Sequence, residues 1–212
     1  MRIYARLRKK DQVPDFTFDS QTHSYKVKGN RLSSVTSVLP YNYRCDNTYA
    51  MERGTMIHSM CRLYLLNDLD EENLDPALVP YLDALKKFLQ DSNGMGITGL
   101  LDLKSGSPHP CVELQIPAYI ELVNHGTPMH EACDPLKSDM VLEEPFFHPI
   151  HQYAGTPDII ISGGKKIKEG HALYLKDNGK YSLSTIKNTR INLETFLCFL
   201  RTERWKCEKG LK

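Results

Sequence analysis

The chain has 212 residues, 41% of them hydrophobic and 25% charged, and its 27 Lys and Arg nearly balance 26 Asp and Glu for a formal net charge of +1. That is enough apolar material for one sizeable core and a single domain over 1–212, while the charge balance excludes a global electrostatic drive toward polyanions. No run of about eighteen apolar residues and no cleavable leader pattern occurs, which predicts a soluble, cytoplasmic protein with no membrane partner.

The basic N-terminal residues Arg6, Arg8, Lys9 and Lys10 read either as a local nucleic-acid contact or as a solvated terminus. Ser24 to Leu39 reads as strand, turn and strand. Asn47 to Leu66 has helical apolar spacing, with Asp46 or Asn47 as a cap. It contains Arg53-Gly54-Thr55-Met56-Ile57-His58, followed by Met60, Leu63, Tyr64 and Leu65. The acidic run Asp68 to Asp75 is a solvated loop, and Pro80 to Gln90 repeats apolar residues at three and four places as an amphipathic helix. Strands are predicted at Gly99–Lys104, Val141–Phe147 and Asp158–Ser162. Gly163 to Lys166 reads as a hairpin turn, and His171–Leu175 and Tyr181–Thr185 flank the hairpin signal Asp177-Asn178-Gly179. Leu193 to Cys207 closes the chain as a helix whose Arg201 and Arg204, with Lys206 and Lys209, cover an exposed face or line a groove. The pattern predicts an α/β fold, a central mixed β-sheet flanked by helices.

Chemistry concentrates in Gly99-Leu100-Leu101-Asp102-Leu103-Lys104. Apolar neighbours mark a buried strand, and its period of two puts Asp102 and Lys104 on one face. A carboxylate there offers hard oxygen to a divalent cation, and an ammonium beside it can orient water or offset charge on a phosphate. Taken alone, Asp-x-Lys is equally the signature of an ordinary ion pair. Three other elements accompany it. His58 stands in its helix, Asp158 closes Tyr153-Ala154-Gly155-Thr156-Pro157-Asp158 before Ile159-Ile160-Ile161, and Gln115 and Tyr119 share one helical face four residues apart.

Together these motifs resemble the PD-(D/E)XK nuclease superfamily, in its RecB-like exonuclease branch of phage and prophage type. The resemblance runs over most of the chain, from the Ser24–Leu39 entry to Asp158. It implies a restriction-endonuclease-like core and a Mg²⁺- or Mn²⁺-dependent DNA exonuclease acting in recombination or repair, with DNA and a phage recombination protein as partners. Carried over residue by residue, it implies that His58, Asp102 and Asp158 ligate the metal, with the Leu103 carbonyl as a further ligand. Lys104 is the implied catalytic lysine, and Gln115 and Tyr119 brace the site near the scissile phosphate. Glu143 and Glu144 read either as an additional acidic contribution or as strand-end charges.

One departure stands out. In the family the Gly-x-x-Asp strand precedes the Asp-x-Lys strand, whereas here Asp158 follows Asp102. The motif order is therefore inverted, as in a permuted core, unless Asp158 lies outside the site or the segments are out of order. A catalytically inactive nuclease-fold module that binds DNA or protein is the alternative function. No phosphate-binding Gly-x-x-x-x-Gly-Lys motif is present.

Cysteines 45, 61, 111, 133, 198 and 207 are scattered, and only Cys198 and Cys207 stand late, so reduced thiols and no iron–sulfur cluster are expected. His148 and His151 lie three residues apart near a proline and, with His109, His125 and His130, could suggest a zinc site, but without a consistent pairing of His or Cys at ligand spacing they read as surface or loop residues.

Overall fold

The computed structural model describes residues 15–40, 48–92, 98–130, 140–187 and 190–211, together with the backbone of 3–4. In chain order the elements are β1 (Ile3–Tyr4), β2 (Phe16–Asp19), β3 (Ser24–Val27), β4 (Asn30–Ser34), α1 (Val35–Val38), α2 (Thr48–Leu65) and α3 (Val79–Ser92). Then come β5 (Gly99–Lys104), α4 (Val112–His125), β6 (Thr127–Pro128), β7 (Met140–Leu142), β8 (Phe146–Phe147), β9 (Tyr153–Gly155) and β10 (Ile159–Ile161). β11 (Glu169–Leu175), β12 (Tyr181–Lys187) and α5 (Arg190–Glu208) complete the chain. The basic N-terminal cluster, the proposed caps Asp46 and Asn47, and Cys45 and Cys133 lie outside the described residues.

The fold is mixed α/β, with two mixed six-stranded sheets and helices against them. The first sheet runs β1-β7-β10-β5-β11-β12 and the second β2-β3-β4-β9-β8-β6. Strand β5 is central in the first, antiparallel to β10 and parallel to β11. Its alternation divides the packing. Leu100 joins a cluster built from α1, α4 and α5, including Ile116, Ile120 and Phe196, whereas Leu101 and Leu103 join one built from α2 and α3, including Ile57, Met60 and Leu85. The first cluster also takes Phe146 and Tyr153 from the second sheet, so α4 is packed between the two. Among the described residues, no helix is long and apolar enough to cross a membrane.

Several boundaries differ from expectation for local reasons. The turn between β3 and β4 uses Lys28 and Gly29 at φ 50° and 78°, the doubly left-handed conformation that two-residue hairpins require. The following Val35–Val38 reads as strand by its β-branched composition but is helical. There a capping box makes the Ser34 side chain accept from the Ser37 backbone while the Ser37 side chain accepts from the Ser34 N–H. The single strand expected over Val141–Phe147 is two strands in different sheets, broken by a left-handed Glu143 (φ 46°) ahead of Pro145. Gly163 and Gly164 do make a left-handed turn, yet it closes no hairpin, because β5 lies between β10 and β11. Cys61, Cys111, Cys198 and Cys207 are free thiols, and burial pushes the Cys61 pKa up to about 12.

Candidate active site

Strand register brings the two separated aspartate motifs together. The β10–β5 ladder pairs Ile159 with Leu101, and one further step in the same antiparallel register sets Asp158 opposite Asp102. Asp158 is tied across that step, because its Oδ2 accepts the Leu103 N–H at 2.7 Å. Its backbone carbonyl accepts the N–H of Glu143 at 2.9 Å, which holds the residue at the junction with β7. Inversion of the motifs along the chain therefore does not separate them in space.

The other residues arrive from both sides of the sheet. On α2, His58 puts Nδ1 3.2 Å from Asp158 Oδ1. On β5, Lys104 puts Nζ 2.7 Å from Asp102 Oδ2 and donates to Gln115 Oε1 at 3.2 Å. Gln115 and Tyr119 do share the face of α4 turned to Lys104, and their side chains hydrogen-bond to each other. Leu103 is placed by its amide bond to Asp158 and by its side chain in the α2–α3 cluster. Thus His58, Asp102, Leu103, Lys104, Gln115, Tyr119 and Asp158 form one connected constellation.

The two carboxylates differ electrostatically. Burial raises the Asp102 pKa and the charge of Asp158 adds to the rise, with Lys104 opposing. Burial acts on Asp158 too, but His58, Lys104 and the Leu103 N–H outweigh it and hold that carboxyl below its ordinary value. Burial opposes the charge of His58, yet Asp158 carries its pKa up to about 9. Tyr119 is pushed well above 10 by burial, with Asp102 adding to the shift, so it is a neutral hydroxyl. Asp102 is 2% exposed, and its Oδ2 is paired with the Lys104 ammonium at 2.7 Å.

The two glutamates part company. Glu144 is fully buried and accepts from both the backbone N–H and Nδ1 of His130, a structural pairing away from the aspartates. Glu143 pairs with Arg62 at 3.4 Å, and both line a narrow cleft with His58 and Asp158. Arg62, one turn along α2 from His58, is the cation at the site that the motifs did not single out. Its i+4 spacing from His58 was the available signal. His130 and His148 are buried rather than on the surface.

No protein-family model matches the chain, and no curated protein is significantly similar to it. Its functional reading therefore rests on the geometry and on the motifs themselves.

Proposed function

We propose that the chain is a Mg²⁺- or Mn²⁺-dependent deoxyribonuclease, an exonuclease of recombination or repair that hydrolyses phosphodiester bonds in DNA. The observation that supports this reading is the convergence of the buried Asp102 and Asp158 carboxylates, opposite each other at the next step of the β10–β5 register, with Lys104 and His58 beside them. The two carboxylates repel, since the charge of Asp158 raises the Asp102 pKa, and a divalent cation held between them would offset that repulsion. The donor set fits a hard divalent ion: Asp102, Asp158, His58 and the Leu103 carbonyl offer three oxygens and one imidazole nitrogen.

A cation bound there supplies neutralisation of phosphate charge and a water of lowered pKa. The protein's own groups supply the rest. Lys104, held by Asp102 and Gln115, presents an ammonium to the attacking water and to the developing negative charge. Tyr119 braces Gln115 as a neutral partner, and the Leu103 amide fixes the Asp158 carboxylate. Arg62 adds a second positive group at the cleft that a phosphodiester would enter. DNA and a recombination protein of the phage type are the partners this reading assigns, in the cytoplasm of a bacterial or phage-infected cell.

Calorimetric titration separates cutting from mere binding. Mn²⁺ should bind the wild-type chain and bind Asp102→Asn at least about ten-fold more weakly, since a direct ligand is lost. Absence of Mn²⁺ binding by the wild type would instead leave a nuclease-fold module that holds DNA or protein without cutting.

A further inference from the structure

A second group of ligating side chains lies apart from the aspartates. Glu121, on the last turns of α4, and His148 and His151, in the turn between β8 and β9, bring one ligand atom each within 4.8 Å of one another. Glu121 Oε1 and His148 Nε2 are 3.5 Å apart. Two ligands of a tetrahedral zinc ion, at bonds of about 2.0–2.2 Å, sit at nearly this separation.

The surroundings of His148 point to a ligand. Its side chain is 2% exposed, and its Nε2 faces Glu121 Oε1 at 3.5 Å with no closer partner. Stacking on Tyr153 at 5.5 Å and 19° fixes the ring, and the Tyr153 hydroxyl donates to the Ala118 carbonyl on α4. From the other side Arg204 of α5 donates to the carbonyls of His151 and Gln152, which pins the turn carrying the second imidazole. His125 places Nδ1 3.0 Å from Glu121 Oε1 and orients the carboxylate, an outer partner of the kind that accompanies ligating groups.

We infer that Glu121, His148 and His151 form a Zn²⁺ site that fastens α4 to the β8–β9 turn. Two imidazoles and a carboxylate suit zinc, whereas the oxygen-rich aspartate site suits Mg²⁺ or Mn²⁺. The metal-free turn also sets a condition. His148 Nδ1 accepts the Ile150 and His151 N–H groups at 3.3 and 3.1 Å, so its ring proton sits on Nε2. Zn²⁺ held by Nε2 would require the ring proton on Nδ1, and those two contacts would then open. Ile150 is 80% exposed, so the N–H groups at 150 and 151 can turn away while Arg204 keeps its hold on the His151 and Gln152 carbonyls.

The test uses the full chain, freed of metal with chelator and carrying Asp102→Asn to weaken the aspartate site. Zn²⁺ titrated by calorimetry should bind one ion per chain, and Co²⁺ should give the visible absorption of a tetrahedral centre. His151→Ala and Glu121→Gln, both at partly exposed side chains, should each weaken Zn²⁺ binding by at least about 100-fold, the upper end of what outer-shell changes cost. Mn²⁺ binding by the otherwise wild-type chain should be unchanged in Glu121→Gln. The assignment is overturned if the Asp102→Asn chain takes up no Zn²⁺. Equally, it is overturned if either ligand variant, shown folded by circular dichroism, binds Zn²⁺ as tightly as its parent.

Discussion

In the proposed metal site, a proton and a divalent cation would compete for the His58 ring. The metal-free pair with Asp158 lifts the imidazole pKa from 6.5 to about 9. A raised folded-state pKa means that this stabilisation is complete below pH 6.5 and is lost as pH climbs through about 9. At the acid end the sign reverses, because the depressed Asp158 carboxyl loses its contribution as it protonates. In chelator, the melting-temperature gap between wild type and His58→Gln should therefore be widest at mildly acidic pH, above the carboxylate range and below 6.5, should shrink through neutrality and close above pH 9. Mn²⁺ affinity should run the other way and rise with pH up to about 9, since the ligand must shed its proton. Equal Mn²⁺ affinity across that range would remove His58 from the metal site. That Asp102 and Lys104 share one face was legible from strand alternation, and that Gln115 and Tyr119 share another from helical spacing, but their part in one site came only through resemblance. His58 and Asp158 were legible only through resemblance, because nothing local to either motif specifies which carboxylate it will meet.

Among the elements, β9 and α4 approach too closely for a side chain at Gly155. A Cβ there would lie 2.6 Å from Tyr119 Cε1 and 3.1 Å from Val35 Cγ2. Gly155→Ala should lower unfolding free energy by about 1–3 kcal/mol through overpacking, read from urea midpoints. It should also disturb Tyr119 and with it Gln115. An unchanged midpoint would mean that α4 can shift freely. The start of α1 offers an independent check, since Ser34→Ala removes the capping box and should cost about 0.5–2 kcal/mol. These elements also show where the sequence could be read. Strands β5, β11 and β12 and helices α2, α3 and α5 follow their apolar periods to within a few residues. Helix α1 was hidden because Val-Thr-Ser-Val has strand composition and the deciding signal is a reciprocal side-chain cap. The division of β7 from β8 was hidden too, since an apolar run does not announce that Glu143 will turn left-handed.

On the scale of the whole molecule, sequence neighbours are not sheet neighbours. The central strand β5 pairs with β10 and β11, so Leu101 meets Ile159 and His171, from far along the chain. Such pairings make refolding slow, on the order of milliseconds to seconds rather than microseconds, which stopped-flow fluorescence of Trp205 or the buried tyrosines can time. Alternation fixed which face of β5 is polar, but strand order is set by how long connections close and left no local mark. The same limit hid the third member of the Glu121, His148 and His151 group: the His148–His151 spacing was visible, but nothing local showed that Glu121 of α4 would meet them. With a net charge of +1, the proposed function would have to hold DNA through local groups such as Lys104 and Arg62 rather than through an overall field.

The central claim is chemical, and end-labelled duplex and single-stranded DNA digested with Mg²⁺ or Mn²⁺ tests it most directly. Wild type should release labelled nucleotides, chelator should stop it, and Lys104→Ala and Asp102→Asn, each with native circular dichroism, should cut at least about 100-fold more slowly. Cleavage at the wild-type rate by both variants, or none by the wild type with either metal, would contradict the account.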